Sequence, residues 1–543
     1  MGKEKCKEKK VYDISEIMEK FGKYQYWQFI ICCLPPMCIT MISINFVFTV
    51  GDLDYRCRVD ECEDANSTSQ LPIWWPNSTI DRCSTPVLKS GEDVCSNNSF
   101  TGELRTCNNW IYESNKTVIA KLNLACQPWR SNLIGTIHNL GMLLSMVVSG
   151  WMSDRFGRKP ALIFCVVGGT IGHLKTIATS YYMYVIIEFL EAAVTGGSYA
   201  ACMVIMLEIV GKKYRLMSGV VFAYAIYIGE SIFAVIAMFV PYWKNLIHII
   251  NGPCIFFLIY IFILNESPRW QIVTGKVEKA KKTLKKIADY NKMKINEKEL
   301  AELDVNTLKE KFKIGRHEIK ENFKHIFTSK DMLKWMLVGS WIRFTSCFVY
   351  YGLMINSVWL PGDKYTNFLL STVMSFPGEL ICLYLMNKVG RKKPMMSGFF
   401  LCGVFSVISA FTPARLLWLK LTLFLIGKVI ISACYTGAIT YTMEMFPTSV
   451  RGTMLGLCSL ASRFGCMLAP LTPILNTVSE ILPYALFSGA AIIAMLLLNL
   501  TPETKNLPLF DTIKQVENYT NTGKIPGQDT DSCTETILKT VDS

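Results

Sequence analysis

Charge is scarce in this chain: Asp, Glu, Lys and Arg make up 18% of its 543 residues, and histidine occurs five times. So little charge excludes an ordinary soluble surface. Enzyme motifs are missing as well. The nearest look-alike of a phosphate-binding loop, Gly168-Gly-Thr-Ile-Gly-His-Leu-Lys-Thr176, has the wrong spacing and lies in an apolar run, where glycines serve close helix packing. ATP hydrolysis is discounted, and neither an enzyme activity nor a cofactor is expected. The histidines are scattered, with His138 and His173 in expected helices, and isolated membrane histidines are read as packed and hydrogen-bonded. The net charge of +13 does not point to nucleic acid. No basic region carries a stacking or groove-reading pattern, and Lys and Arg gather in segments that hydropathy puts on one side of a membrane.

What is abundant is apolar sequence, 51% of residues. Runs of ~20 apolar residues recur, enough to cross a ~30 Å hydrocarbon core as helices, whereas barrel strands need only ~10 alternating residues. The chain reads as an all-α membrane protein. It is organised around the turn Gly150-Trp-Met-Ser-Asp154-Arg155-Phe-Gly157-Arg158-Lys159-Pro160, a short basic loop between two apolar runs. A second copy, Asn387-Lys-Val-Gly390-Arg391-Lys-Lys-Pro394, follows roughly 230 residues downstream. Glu208 with Arg215 is matched at a similar offset by Glu444 with Arg451, and Ser267-Pro268 by Thr501-Pro502. Three matches in one order predict a duplicated membrane unit, the mark of an alternating-access transporter. The turns carry a mechanical logic: glycines let two helices approach, Asp154 can accept from a helix terminus, and Arg158 can reach Glu208. Such pairs would latch one access state and open in the other.

In chain order, 1–26 reads as a cytosolic amino terminus and 27–264 as a six-helix bundle that includes an extracellular loop, 51–130. The stretch beginning at Trp27 is long enough to span and contains Pro35-Pro36, so it is a first span rather than a cleaved signal. The loop holds Cys57, Cys62, Cys83, Cys95, Cys107 and Cys126 with glycosylation sequons at Asn66, Asn77, Asn97 and Asn115. It reads as a disulfide-stapled cap whose connectivity spacing leaves open. It contains no His, and no metal site is expected there. The other cysteines lie mostly in apolar runs, where thiols pack as small hydrophobes. Residues 265–333, dense in Lys and Glu, form a cytosolic linker of short amphipathic helices; 334–504 is the second six-helix bundle and 505–543 a polar, disordered cytosolic tail.

These motifs resemble a known family. The turn from Gly150 to Lys159 is similar to the signature of the major facilitator superfamily. Glu266-Ser-Pro-Arg-Trp, Tyr350-Tyr-Gly-Leu, Glu444-Met-Phe-Pro-Thr-Ser-Val-Arg and the loop opening Tyr55-Arg-Cys-Arg-Val resemble its organic cation, organic anion and carnitine transporters. The resemblance covers nearly the whole chain and implies twelve helices in two bundles around a cavity reached alternately from each side. It implies a multi-pass plasma-membrane protein whose partners are the lipid bilayer, a small organic ion and a co-transported or exchanged ion. Arg463, in Ala461-Ser-Arg-Phe-Gly465, stands where that family typically has Arg in anion and carnitine transporters and Asp in many cation transporters.

A charge at mid-membrane costs several kcal/mol unless it is paired or faces water, so Arg463 belongs either to a cavity or to a salt bridge. Glu379 either meets a substrate ammonium or pairs with Arg463. Together they favour an anionic or zwitterionic, carnitine-like substrate, the alternatives being an organic cation or a receptor that kept the fold and lost transport. Tyr350 and Tyr351, with Phe344 and Trp341 nearby, supply an aromatic wall. Glu188, Glu191, Glu230 and Arg343 add intramembrane charge, and Glu188 stands where the family usually shows Arg.

Overall fold

The computed structural model describes residues 14–522 except 15, 52, 64–71, 73, 76–81, 90–94, 97, 98, 212, 213, 313–327, 448, 477, 506, 508, 509 and 511; of residues 16, 102, 215, 216, 297, 298, 301, 414, 521 and 522 it describes the backbone alone. Twelve long helices run through the described residues. They are α1 (Lys23–Thr49), α2 (Pro128–Phe156), α3 (Arg158–Ile177), α4 (Tyr181–Ile209), α5 (Met217–Phe239) and α6 (Trp243–Ile263) in the first half. In the second half they are α7 (Lys330–Asn356), α8 (Lys364–Lys388), α9 (Lys392–Phe411), α10 (Leu417–Met445), α11 (Arg451–Asn476) and α12 (Leu482–Leu498). Ten of them are long and apolar enough to cross a membrane. The exceptions have plain causes: α12 has 17 residues, and α7, with 27, is diluted by Lys330, Asp331, Lys334, Arg343 and several hydroxyl side chains.

The internal duplication extends to the packing. A Cβ on Gly141 of α2 would meet the carbonyl oxygen of Phe189 on α4 at 2.7 Å, and one on Gly378 of α8 would meet that of Val429 on α10 at 2.6 Å. Only glycine permits these two backbones to approach so closely, so second and fourth helices are pinned alike in each half.

One end of the molecule carries the Cys-rich loop, here the loop end. Among its described residues the cap contains four strands that apolar periodicity did not announce: β1 (Tyr55–Cys57), β2 (Ser84–Leu88), β3 (Phe100–Thr106) and β4 (Trp110–Tyr112). β1 pairs antiparallel with β4, and β2 with β3. Ladders this short do not stand alone in water. Disulfides Cys57–Cys107, Cys62–Cys95 and Cys83–Cys126 staple them, resolving the open connectivity. Asn115 is exposed on this cap, while Asn66, Asn77 and Asn97 lie outside the described residues.

The opposite end carries the linker, in helices Pro268–Val273, Val277–Tyr290, Glu297–Glu302 and Val305–Lys311. The second buries Ala280, Leu284, Ile287 and Ala288, and Asn291 beyond it accepts the backbone N–H of Tyr24 at 2.9 Å. The linker is therefore docked on the first bundle. The tail differs from the disordered stretch expected after Lys505: Ile513–Thr522 is helical, with Val516 buried and Phe510 near Trp335 of α7. A few apolar residues in a polar segment suffice to seat one helix.

Candidate functional site

The two basic turns are built alike. α2 runs on to Phe156, so Asp154 and Arg155 belong to its last turn rather than to a loop, and only Gly157 separates the helices. Gly157 has φ +120° and Gly390 has φ +138°, a region that disfavours any Cβ. Added Cβ atoms would run into the carboxylates of Glu266 and Glu503, which the turns enclose. Glu266 accepts the backbone N–H groups of Arg158 and Lys159 at 3.0 and 3.3 Å, and Glu503 those of Arg391 and Lys392 at 2.8 and 3.0 Å. Each carboxylate thus satisfies the orphan amides of a helix start. Lys159 Nζ donates to the Ile261 carbonyl and Lys392 Nζ to those of Asn499 and Thr501.

The arginines brace the same turns. Arg158 reaches Asp154 at 2.5 Å and Glu208 at 3.3 Å; Arg391 reaches Glu444 at 3.0 Å. Arg451 donates to the Phe446 carbonyl at 3.0 Å, Arg155 lies over Trp151 at the surface, and the side chain of Arg215 is outside the described residues. Each of these ion pairs closes within its own half. In this conformation they set the shape of each bundle's end and do not tie one bundle to the other.

Contacts between bundles lie toward the loop end and the middle. Phe48 of α1 packs on Tyr365 and Phe368 at 4.9 and 5.2 Å, Ser231 of α5 meets Thr372 at 3.3 Å, and Thr136 of α2 donates to the Met467 carbonyl of α11. Deeper, Arg463 Nε meets Met146 Sδ at 3.1 Å. One turn beyond Met146 on the same face of α2 stands Gly150, and beyond Arg463 on the same face of α11 stand Ser459, Gly456 and Gly452. A Cβ on any of the three glycines would find no atom within 4 Å. Gly150 therefore makes no close helix contact here, contrary to its expected role, because the linker-side ends of α2 and α11 stand apart.

Above that gap lies a cavity of about 180 Å³, lined from both halves by α1, α2, α4, α5, α7, α10 and α11. Arg343, Arg463 and Tyr351 line it, as do Tyr199, Tyr435 and Glu230. Among the described residues neither guanidinium has a carboxylate within ion-pairing distance, so the expected pairing of Arg463 with Glu379 does not occur. Glu379 is buried behind the lining, accepting from Thr436 at 2.6 Å and Tyr227 at 3.5 Å. Tyr350 is also one layer back. Its hydroxyl reaches Glu230 at 3.4 Å, and Lys428 Nζ sits 3.3 Å from its ring centroid. Cys347 and Cys466, taken in sequence for small hydrophobes, form a disulfide between α7 and α11 at the cavity wall.

Glu188 and Glu191 are elsewhere, inside the first bundle against Lys175 and His138. Sequence reasoning passed over Lys175 and Lys428, although a lysine within an apolar run is itself a signal. It named Glu266 only within a family motif and did not match it to Glu503, because matching proline to proline hid the pair: one acid precedes its proline by two positions and the other follows by one.

Known proteins carry the same architecture. The Major Facilitator Superfamily profile matches residues 127–470 and 365–515. The organic cation transporter protein of Drosophila melanogaster is 30% identical over 533 residues, covering 95% of each chain. Solute carrier family 22 member 3 of Rattus norvegicus is 28% identical over 530 residues, 92% of this chain and 94% of that one. In fold, the partially occluded inward-open conformation of the xylose transporter XylE from E. coli superposes with a TM-score of 0.61 at 14% identity, over 90% of this chain and all of that one. With its duplicated turns, twelve helices and cavity between bundles, the chain belongs to the major facilitator superfamily, in its organic cation, organic anion and carnitine transporter family.

Proposed function

We propose that this transporter moves carboxylate-bearing organic ions, anionic or zwitterionic and carnitine-like, across the plasma membrane by alternating access. The observation that carries the reading is the pair Arg343 and Arg463, which share one cavity with no carboxylate within ion-pairing distance of either among the described residues. A guanidinium held in low dielectric is costly unless water or a ligand answers it, and its planar fork matches a carboxylate at two points. Glu230 with Tyr351 and Tyr435 offers an ammonium the opposite partner across the same space, which suits a zwitterion.

The loop end is extracellular in this reading, and the linker and both termini are cytosolic. Closing the cytosolic side brings Gly150 toward Gly456 and Gly452, and carries Asp154, one turn on, toward the amino-terminal end of α11, where a carboxylate is favoured. A co-transported or exchanged ion completes the cycle. A second reading, an organic cation substrate, is favoured by the names of the relatives and by Glu230. A non-transporting receptor is the remaining alternative.

Uptake of labelled anions, zwitterions and cations into expressing cells decides among them. Saturable accumulation of carboxylate-bearing compounds is expected. Accumulation of cations alone overturns the cargo assignment, and saturable binding without accumulation favours the receptor.

A further inference from the structure

The first bundle holds a buried ionic cluster that lines neither the cavity nor the turns. Lys175 Nζ of α3 lies 3.0 Å from Glu188 and 2.5 Å from Glu191, both on α4, and His138 Nδ1 of α2 lies 2.7 Å from the other oxygen of Glu188. All four side chains are at most 1% exposed. Gly172 makes the room: a Cβ there would run into the Glu191 carboxylate and the Asn251 amide of α6. The other titratable groups that act on the cluster, among the described residues, are Tyr184 on α4, Cys254 on α6, and His173, which meets His248.

The charges do not cancel. One ammonium against two carboxylates leaves a net negative charge in a fully buried site, and one added proton neutralises it. Two buried atoms that would carry that proton have no hydrogen-bond partner among the described residues, His138 Nε2 and Glu191 Oε1. The Asn251 amide beside Glu191 likewise has no partner among them at either its oxygen or its nitrogen. On His138 the proton yields an imidazolium facing Glu188; on Glu191 it yields a neutral acid able to donate toward Asn251. Lys175 lies two residues from the loop end of α3, and His138 ten residues into α2, about 15 Å deep.

We propose that His138, Lys175, Glu188 and Glu191 form a single-proton binding site, and that its occupancy sets the pH dependence of transport. The second half rests on the transport reading; the first does not.

Proton binding is measured on the purified full chain by pH-titrated infrared difference spectroscopy, following carboxylic-acid and imidazole bands between about pH 5 and pH 8. The wild type is expected to take up one proton that Glu191→Gln does not, because removing one carboxylate removes the demand wherever the proton resides. Glu188→Gln removes the same charge and is expected to show the same loss, which keeps the test open if one variant fails to fold. Lys175→Gln is expected to take up more. A wild type with no such proton, or a glutamine variant that titrates as the wild type does, overturns the proposal. In uptake, one linked proton changes the response by up to about tenfold per pH unit. That slope is expected to vanish in Glu191→Gln, and its persistence there overturns the link to transport while leaving the spectroscopic result to decide the site.

Discussion

The backbone N–H of Arg391 donates to the Glu503 carboxylate at 2.8 Å, as that of Arg158 does to Glu266 at 3.0 Å. The two acids nevertheless differ. Burial pushes both upward, but at Glu503 donation from Arg391, Lys505, Lys392 and Thr504 outweighs it and holds the carboxyl below the usual range. At Glu266 burial wins over donation from Ser267, Lys159 and Arg158, and the carboxyl is raised.

A depressed acid stabilises the fold above its unfolded pKa, and that contribution disappears as pH falls through the folded value. A raised acid contributes below its unfolded pKa and loses that contribution as pH rises through the folded value. Glu503→Gln should therefore lower thermal stability at neutral pH by about 1 kcal/mol or less after solvent screening, whereas Glu266→Gln should leave it unchanged or raise it. Both variants should converge on the wild type in acid. Equal losses at neutral pH would contradict the asymmetry.

Gly157→Ala and Gly390→Ala each force a Cβ into a left-handed backbone and onto a carboxylate. Each should cost about 1–2 kcal/mol from the backbone alone and lower surface abundance. Gly150→Ala, which meets open space, should leave thermal stability unchanged. A melting curve for each of the three is the check.

Bulk at the gap should act on the cycle instead. Gly150→Leu and Gly456→Leu add side chains where closure of the linker end needs none, and a penalty of about 1.4 kcal/mol on the closed form suffices for a tenfold shift in population. Uptake should fall about tenfold or more at normal abundance. Unchanged uptake in both variants would mean these faces never meet.

Arg463→Lys keeps the charge but loses the fork, and should weaken carboxylate transport; Arg463→Ala should cost about 2 kcal/mol in apparent affinity. Arg463→Asp should damage it further and admit cations. Among the described residues Arg463 forms no ion pair, so folding should survive these changes. Normal surface abundance of Arg463→Ala with unaltered affinity for every carboxylate substrate would remove it from the binding site.

Cys57→Ser breaks a staple joining the ends of the cap and should cost about 2–5 kcal/mol, seen as retention inside the cell. Glycosidase treatment should shift the wild-type band, and Asn115→Gln should shorten that shift by one step. No shift in a glycosylating cell would contradict an extracellular cap.

Apolar runs and repeated motifs determined by themselves that the chain is a duplicated helical membrane protein, because a hydrocarbon core demands internally bonded helices of one minimum length. The turn residues were legible for the same reason: charge confined between spans has few places to go. Partners were not legible. Whether Arg463 meets Glu379, whether Cys347 meets Cys466, and that Glu188 and Glu191 join Lys175 rather than the cavity are decided by how helices far apart in sequence rotate against one another. A helix brings every third or fourth residue to one face, but which face is set by the neighbour it packs on, and that neighbour is chosen only in the folded bundle.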